Sequence, residues 1–214
     1  MDKKDISSIR KEYAMKQLDE SEVDKNPLSQ FGIWFDDAIQ AEVNEPNAMV
    51  LSTTTKEGRP SSRVVLLKGF DENGFTFFTN YKSRKALHIE QNPFASLLFF
   101  WPELERQVRI EGEIAKVSTS ESDEYFSSRP EGSKIGAWVS PQSNVIHGRE
   151  FLESLKMIFE GQFANKAISR PPNWGGYRLK PDMIEFWQGR PNRLHDRVQY
   201  TQINEKWKIE RLAP

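Results

Sequence analysis

The 214-residue sequence predicts an α+β protein, mainly antiparallel β-strands with helices packed on them, closing as a barrel rather than as a doubly wound parallel sheet. Three observations point there. Short runs rich in β-branched and aromatic residues are joined by tight-turn signals such as Asn73-Gly74. Helical patterns fall between groups of strands rather than after every strand. No self-similarity appears at a period of about 20–50 residues, which removes solenoids and propellers.

The elements follow in order. Ile6 to about Asp24 is polar with sparse apolar points (Ile9, Tyr13, Met15, Leu18) and reads as a short helix and then a mobile leader. Asn26-Pro27 is a helix start, and Leu28, Phe31, Phe35, Ala38 and Ile39 make one apolar side as far as Val43. Ala48–Thr54 and Val64–Lys68 are strands of a hairpin across Lys56-Glu-Gly-Arg-Pro60, and after Asn73-Gly74 the run Phe75–Thr79 returns antiparallel. Ser83 opens a short helix that Asn92-Pro93 closes, and Phe94–Trp101 with Val108–Val117 form a long hairpin. Helices follow at Ser120–Ser128, Ser133–Val139 and Gly148–Phe163. Arg170-Pro-Pro-Asn173 breaks the pattern, and the chain ends in strands at Met183–Gln188, Val198–Ile203 and Trp207–Leu212.

Composition narrows the chemistry. Thirty Lys and Arg against 31 Asp and Glu leave a net charge of -1, so no global field draws the chain to nucleic acid or an anionic membrane. Affinity for phosphate must be local. The absence of cysteine excludes disulfides, thiolate nucleophiles and cysteine-ligated metals, and fits a reducing compartment. No apolar run reaches the ~18 residues of a membrane span, and the amino terminus lacks a signal-peptide core, so a cytoplasmic protein is expected. Dinucleotide, P-loop, nucleophile-elbow and zincin motifs are missing, and three scattered histidines argue against a metal site.

Three polar constellations remain. Arg63-Val-Val-Leu-Leu-Lys68 carries two cations five apart, which alternation sends to opposite faces unless a bulge or terminal bend turns one. With Ser83-Arg84-Lys85 at a helix start it reads as a phosphate cradle, though ordinary surface cations at a helix start would look the same. Tyr125, Arg129 and Ser133, spaced four apart, can converge on a second phosphate or simply solvate a helix face. Phe186-Trp-Gln-Gly-Arg-Pro-Asn-Arg-Leu-His-Asp-Arg197 crowds arginines around a turn, where Asp196 can pair with Arg193 or Arg197 for structure, or the guanidinium groups can face an anionic conjugated ligand.

These sets, in this order, resemble the pyridoxine/pyridoxamine 5′-phosphate oxidase family, from about Arg10 to Pro214. The specific pieces are Arg63 to Lys68, Asn80 to Lys85, Leu104-Glu-Arg-Gln-Val108, Ile135-Gly-Ala-Trp-Val-Ser140 with Gln142-Ser143, Ile184-Glu-Phe-Trp-Gln-Gly189 and Arg193-Leu-His-Asp-Arg197. The resemblance implies an FMN-binding split antiparallel β-barrel over residues 26–214, with a carboxy-terminal dimerisation and substrate region, and a substrate-closing leader over 1–25. It implies a homodimer with FMN at the interface. By motif, FMN falls to Arg63, Val64, Val65, Leu66, Leu67, Lys68, Phe78, Thr79, Arg84, Lys85, Gln107, Gln142, Ser143, Trp187 and Arg197. Substrate falls to Arg10, Lys11, Glu12, Tyr13, Lys68, Tyr125, Arg129, Ser133, Arg193, Leu194 and His195, with Arg193 and His195 as the catalytic pair. Phe78 departs from the Tyr of some relatives.

The implied reaction oxidises C4′ of pyridoxine 5′-phosphate or pyridoxamine 5′-phosphate with FMN, and O2 as final acceptor gives hydrogen peroxide. No metal and no nucleic acid take part. A non-catalytic carrier of FMN or pyridoxal phosphate on the same barrel is the rival, and a nucleic-acid-binding barrel a weaker third.

Overall fold

The computed structural model describes residues 12–214, so the expected substrate residues Arg10 and Lys11 lie outside the described residues. The chain divides into two compact units, and each is taken by itself. One comprises residues 47–97 and 111–181. The other comprises residues up to 46, 98–110 and 182–214.

The first unit opens with β1 (Ala48–Thr54) and β2 (Pro60–Leu66), a hairpin in the register Ala48↔Leu66 to Thr54↔Pro60. Along β1 every second side chain is buried, so Met49, Leu51 and Thr53 share the inward face. β3 (Gly69–Asp71) and β4 (Gly74–Asn80) form the expected hairpin, but its two-residue turn is Glu72-Asn73, one position earlier than the Asn-Gly pair: Gly74 already pairs with Asp71, and of Asn73 and Gly74 only the glycine has a positive φ. Gly74 has φ +122°, and a Cβ there would run into the Leu179 carbonyl, so only glycine fits. α2 (Arg84–Gln91) follows Ser83, and β5 (Phe94–Trp101) and β6 (Arg106–Lys116) are the long hairpin. α3 (Thr119–Ser128) begins in a reciprocal capping box between Ser118 and Glu121. α4 (Glu131–Val139) and α5 (Arg149–Phe163) complete the helices of this unit.

β7 (Trp174–Gln188) is longer than the expected Met183–Gln188 and starts directly after the Pro171–Asn173 turn. Pro181 and the Gly175-Gly176 pair hide its first half from pattern reading. Yet its residues Trp174–Leu179 pair antiparallel with Asn80–Phe75 of β4. Gly176 is tightly enclosed, because a Cβ there would press on Val117 and the Phe78 ring. The order of strands in this unit is β2-β1-β5-β6-β7-β4-β3.

In the second unit, α1 (Pro27–Gln40) is capped by Asn26, whose side chain accepts from the Leu28 N–H at 2.8 Å. Its buried residues Pro27, Gln30, Phe31, Trp34 and Ala38 recur at helical spacing, but the buried side is turned from the expected one: Phe31 and Ala38 are on it, Leu28 and Phe35 are half-buried at its margin, and Ile39 is exposed while Trp34 takes the centre. Phe31 meets Phe99 at 5.0 Å and Trp34 meets Phe186 edge-on at 5.1 Å, so aromatic rings join the helix to the strands of this core. The later part of β7 pairs with β8 (Asp196–Ile203), which pairs with β9 (Lys206–Leu212) across Asn204-Glu205, both in the left-handed region.

Of the expected helix and leader over Ile6 to about Asp24, residues 6–11 lie outside the described residues, and 12–24 contain no helix. Instead, the Ala14 and Met15 N–H groups donate to Glu105 Oε2 at 2.9 and 3.2 Å, and the Leu18 N–H donates to Asp196 Oδ2 at 3.2 Å. Side-chain carboxylates thus take the place of helical partners. No helix among the described residues is long and apolar enough to cross a membrane.

Arg106 anchors the second unit. Its guanidinium is 5% exposed, donates to Asp37 Oδ2 at 2.6 Å and to Gln188 Oε1 at 3.0 Å, and lies 4.2 Å over the Trp34 ring. Burial raises the Asp37 carboxyl, but the bond and charge of Arg106, with Lys16, outweigh it and hold the group below its ordinary value. Arg106→Ala is expected to lower the unfolding free energy in urea by about 3 kcal/mol at pH 7, because it leaves Asp37 with Lys16 alone, takes the Nε donor from the buried Gln188 Oε1 and opens space. Asp37 is depressed in the fold, so its contribution is present above the unfolded carboxylate pKa and is lost as pH falls through the folded value. The gap between wild type and variant should therefore narrow only below about pH 4. A gap unchanged in acid would show that charge is not what Arg106 supplies.

Candidate active site

A cavity of about 650 Å³ opens in the first unit, within the range of small-molecule sites. Its walls come from β2, the end of β4, the start of α2, the α3–α4 junction and the segment around Gln142. Arg63 and Lys68 both line it, although strict alternation sends them to opposite faces. The reason is that β2 ends at Leu66: the chain bends, the Lys68 N–H donates to the Thr76 carbonyl at 2.9 Å, and the lysine turns back to the cavity. Val64, Val65 and Leu66 contribute to the same wall, whereas the Leu67 side chain is buried in the core.

At one end stand two cations with neutral partners. Arg63 donates through Nη1 to the Leu51 carbonyl at 3.1 Å and to Thr53 Oγ1 at 2.8 Å, and through Nη2 to Ser61 Oγ at 2.8 Å. Lys85 Nζ donates to Thr79 Oγ1 and Gln142 Oε1, each at 3.1 Å, and to Ser83 Oγ at 3.3 Å. The ion pairs among the described residues include neither cation. Burial, then the charge of Arg63, pulls the Lys85 ammonium down to about 8, and burial, then Arg84, lowers Arg63. Arg84 itself is exposed and does not line the cavity, but its backbone N–H donates to the hydroxyl of Ser143, a left-handed residue, at 3.2 Å.

At the other end, Tyr125, Arg129 and Ser133 line the wall together, as their spacing predicts. Phe78 stacks on Tyr125 at 3.9 Å and on Trp174 at 5.6 Å, forming an aromatic panel. The Arg129 guanidinium lies 4.5 Å over the Trp174 ring, and its Nη1 is buried without a hydrogen-bond partner. A buried guanidinium nitrogen lacking an acceptor is costly unless a ligand supplies one. Trp174 escapes sequence reasoning; its one local signal is its place directly after Arg170-Pro-Pro-Asn173. An anionic molecule with a flat conjugated part fits this set: charge-assisted donors at Arg63 and Lys85, an aromatic panel, and a second orphan donor at Arg129.

The other expected residues lie in the second unit. Trp187 packs on His195 at 4.6 Å, and Tyr13 meets Trp187 and His195 edge-on at 5.8 and 5.9 Å. His195 Nδ1 accepts from the Arg190 backbone N–H at 3.1 Å, which assigns the ring proton of the neutral form to Nε2. Burial, then Arg193, lowers this imidazole's pKa. Arg193 and Leu194 are exposed, and Arg193 follows Asn192 in left-handed geometry. Glu12 is exposed and Gln107 half-buried. Arg197 grips Glu185 with Nε at 2.8 Å and Nη2 at 3.1 Å. Asp196 pairs with Arg190 at 3.3 Å and Arg211 at 2.8 Å, rather than with Arg193 or Arg197, because the β8–β9 ladder sets Arg211 beside it.

Comparison with known proteins places these features in context. Residues 35–154 match the family model described as pyridoxamine 5′-phosphate oxidase, and residues 174–214 match the pyridoxine 5′-phosphate oxidase C-terminal dimerisation region. Among curated relatives, the pyridoxine/pyridoxamine 5′-phosphate oxidase of a Cyanothece species is 57% identical over 98% of both chains. That of Paraburkholderia phymatum is also 57% identical, over 98% of this chain and 99% of its own. Among solved structures, PhzG from Burkholderia lata, bound to tetrahydrophenazine-1-carboxylic acid, superposes with a TM-score of 0.89 at 31% identity, covering 95% of this chain and 100% of its own. A pyridoxamine 5′-phosphate oxidase-related, FMN-binding protein of Nostoc punctiforme superposes with a TM-score of 0.66 at 20% identity, over 85% of this chain and 97% of its own, a likeness of fold. The expected split antiparallel barrel is the fold observed.

The buried cation pair has a direct consequence in solution. Lysine-selective NMR of the unliganded protein should give Lys85 a midpoint near 8, well below the ordinary lysine value. A Lys85 midpoint above about 10 would show that water reaches the ammonium freely.

Proposed function

The chain belongs to the pyridoxamine 5′-phosphate oxidase family, and from that membership we propose roles for its residues in an FMN-dependent oxidation of pyridoxine and pyridoxamine 5′-phosphates. The observation that carries the proposal is the cavity of the first unit, with donors lacking an anionic partner at both ends: Arg63 and Lys85 at one, and the orphan Arg129 Nη1 at the other.

Arg63 and Lys85 bind the FMN phosphate, Arg84 and Ser143 frame the adjoining helix start, and Thr79 and Gln142 offer polar groups to the cofactor. Lys68, Val64, Val65, Leu66 and Phe78 form the wall along it, with Gln107, Trp187 and Arg197 as further contacts and Leu67 only through its backbone. FMN supplies the two-electron acceptor for oxidation at C4′ of the substrate. Tyr125, Arg129 and Ser133 hold the substrate phosphate, and binding energy spent on that remote group orients the reacting carbon. Trp174 keeps the Arg129 guanidinium flat against the panel. A carrier of flavin alone has no use for this second donor set.

His195 and Arg193 are the catalytic pair, with Glu12, Tyr13 and Leu194 beside them. Because Nδ1 of His195 already accepts the Arg190 N–H, the neutral ring offers Nε2–H as a donor to the substrate and is not free to take a proton there. His195 therefore orients the substituent on C4′ by hydrogen bonding. Arg193, exposed and held in left-handed geometry, presents its planar group to the substrate ring. Net oxidation would pass to dioxygen, giving hydrogen peroxide and pyridoxal 5′-phosphate; with the amine as substrate one water would also be consumed, supplying the aldehyde oxygen, and ammonia released. The chain acts as a homodimer through its carboxy-terminal region, residues 174–214, with FMN held at the interface and 1–25 as the substrate-closing leader. A cytoplasmic setting accords with the cysteine-free sequence.

Kinetics separate the two phosphate sites. Arg129→Ala should raise KM for pyridoxamine 5′-phosphate by about 10- to 100-fold, the worth of one charge-assisted hydrogen bond, and leave FMN stoichiometry intact. Lys85→Met should instead weaken FMN by a similar factor and leave KM at saturating FMN near wild type. Equal FMN loss in both variants with KM untouched would abolish the division. In the wild type, FMN affinity should fall as pH rises past about 8, because the anion prefers the charged Lys85 and the free protein loses that proton there; Lys85→Arg should flatten the profile.

A further inference from the structure

We propose that Thr53 and His88 are positioning residues for the cation pair of the cavity, with the Thr53 hydroxyl tying Arg63 on β2 to the helix that carries Lys85. The inference rests on the assignment of that pair to the FMN phosphate.

Thr53 is 1% and His88 6% exposed, so neither can meet ligand or solvent, and both are polar groups that the proposed chemistry does not otherwise use. In the β1–β2 register Thr53 faces Ser61 and Leu51 faces Arg63. Side chains two apart on a strand share a face, so Arg63 lies between Ser61 and Thr53 along one side of the hairpin. Its Nη1 is fixed by the Leu51 carbonyl and Thr53 Oγ1, and its Nη2 by Ser61 Oγ. Three of the five guanidinium N–H donors are thereby used on strand atoms, and those left, on Nε and Nη2, remain for an anion in the cavity.

Thr53 Oγ1 has a second partner. It lies 3.3 Å from His88 Nδ1, and His88 stands one turn after Lys85 on α2, three residues along the same side. One buried hydroxyl therefore joins the strand pair that aims Arg63 to the helix that aims Lys85. The environment keeps this link uncharged: burial first, then Arg84 and Arg63, lower the His88 imidazole, so at neutral pH it adds no third positive charge behind the phosphate. A hydrocarbon residue at 53 would keep the packing but free Arg63 Nη1 from one of its two anchors and loosen α2 from β1.

The test compares affinities for FMN and riboflavin on apoprotein of the full chain, by quenching of flavin fluorescence, because the two ligands differ only in the phosphate. Thr53→Val should weaken FMN about 10-fold and leave riboflavin unchanged. Thr53→Ser should restore FMN affinity to near wild type, and His88→Phe, which keeps a ring and removes Nδ1, should give a smaller loss that is again specific to FMN. Unchanged FMN affinity in Thr53→Val would overturn the inference. So would equal losses for both flavins, or failure of Thr53→Ser to rescue. If wild-type protein itself bound riboflavin as tightly as FMN, the underlying phosphate assignment would fall, a result distinct from any change caused by the variants.

Discussion

The cavity is governed by positive charge held against neutral atoms. Elsewhere this near-neutral chain pairs cations with carboxylates: the buried Arg106 with Asp37, and the half-buried Arg197 with Glu185. In the cavity, Arg63 and Lys85 receive only carbonyl, hydroxyl and amide oxygens, and Arg129 receives an aromatic face. Neutral oxygens orient a cation without cancelling it. The desolvation cost that pulls Lys85 down to about 8 is the counterpart of an anion-binding field that water does not screen.

The backbone is arranged to bring these groups together from distant stretches of sequence. Antiparallel pairing of β4 with the first half of β7 sets Phe78 opposite Gly176 and Asn80 opposite Trp174, which builds the aromatic panel from residues almost one hundred positions apart. The glycine is what allows it: a side chain at 176 would occupy the space of the Phe78 ring. The panel then gives Arg129 a flat support, and the capping box that starts α3 fixes the helix from whose end Arg129 projects.

Much of this was legible in the residues and some was not, for physical reasons. Period and turn chemistry located α1, the tight β3–β4 hairpin to within one residue and the β5–β6 hairpin, because each depends on its own neighbours in sequence. The first half of β7 was hidden because Pro181 and two glycines weaken a pattern that only its partner strand makes stable. Arg63 and Lys68 were legible as cations of interest, but their common side was not, since it depends on where β2 stops pairing. The ion pairs of Asp196 were misread for a similar reason: nearness in sequence suggested Arg193 or Arg197, while strand register delivered Arg211.

Register also limits what His195 can do. Its position before β8 places Nδ1 against the Arg190 N–H, so an ordinary backbone bond sets the tautomer of the imidazole. Neutral histidine has one lone pair to offer, and here the loop uses it. Burial, then the charge of Arg193, outweighs the nearby Asp196 and lowers the imidazole pKa, which favours the neutral ring. On the proposed assignment, its N–H donor would meet the hydroxyl oxygen of the alcohol or the nitrogen of the amine in its neutral form, since a protonated amine has no lone pair. One fixed N–H would thus serve alcohol and neutral amine alike, whereas a base tuned to a particular leaving proton would favour one of them.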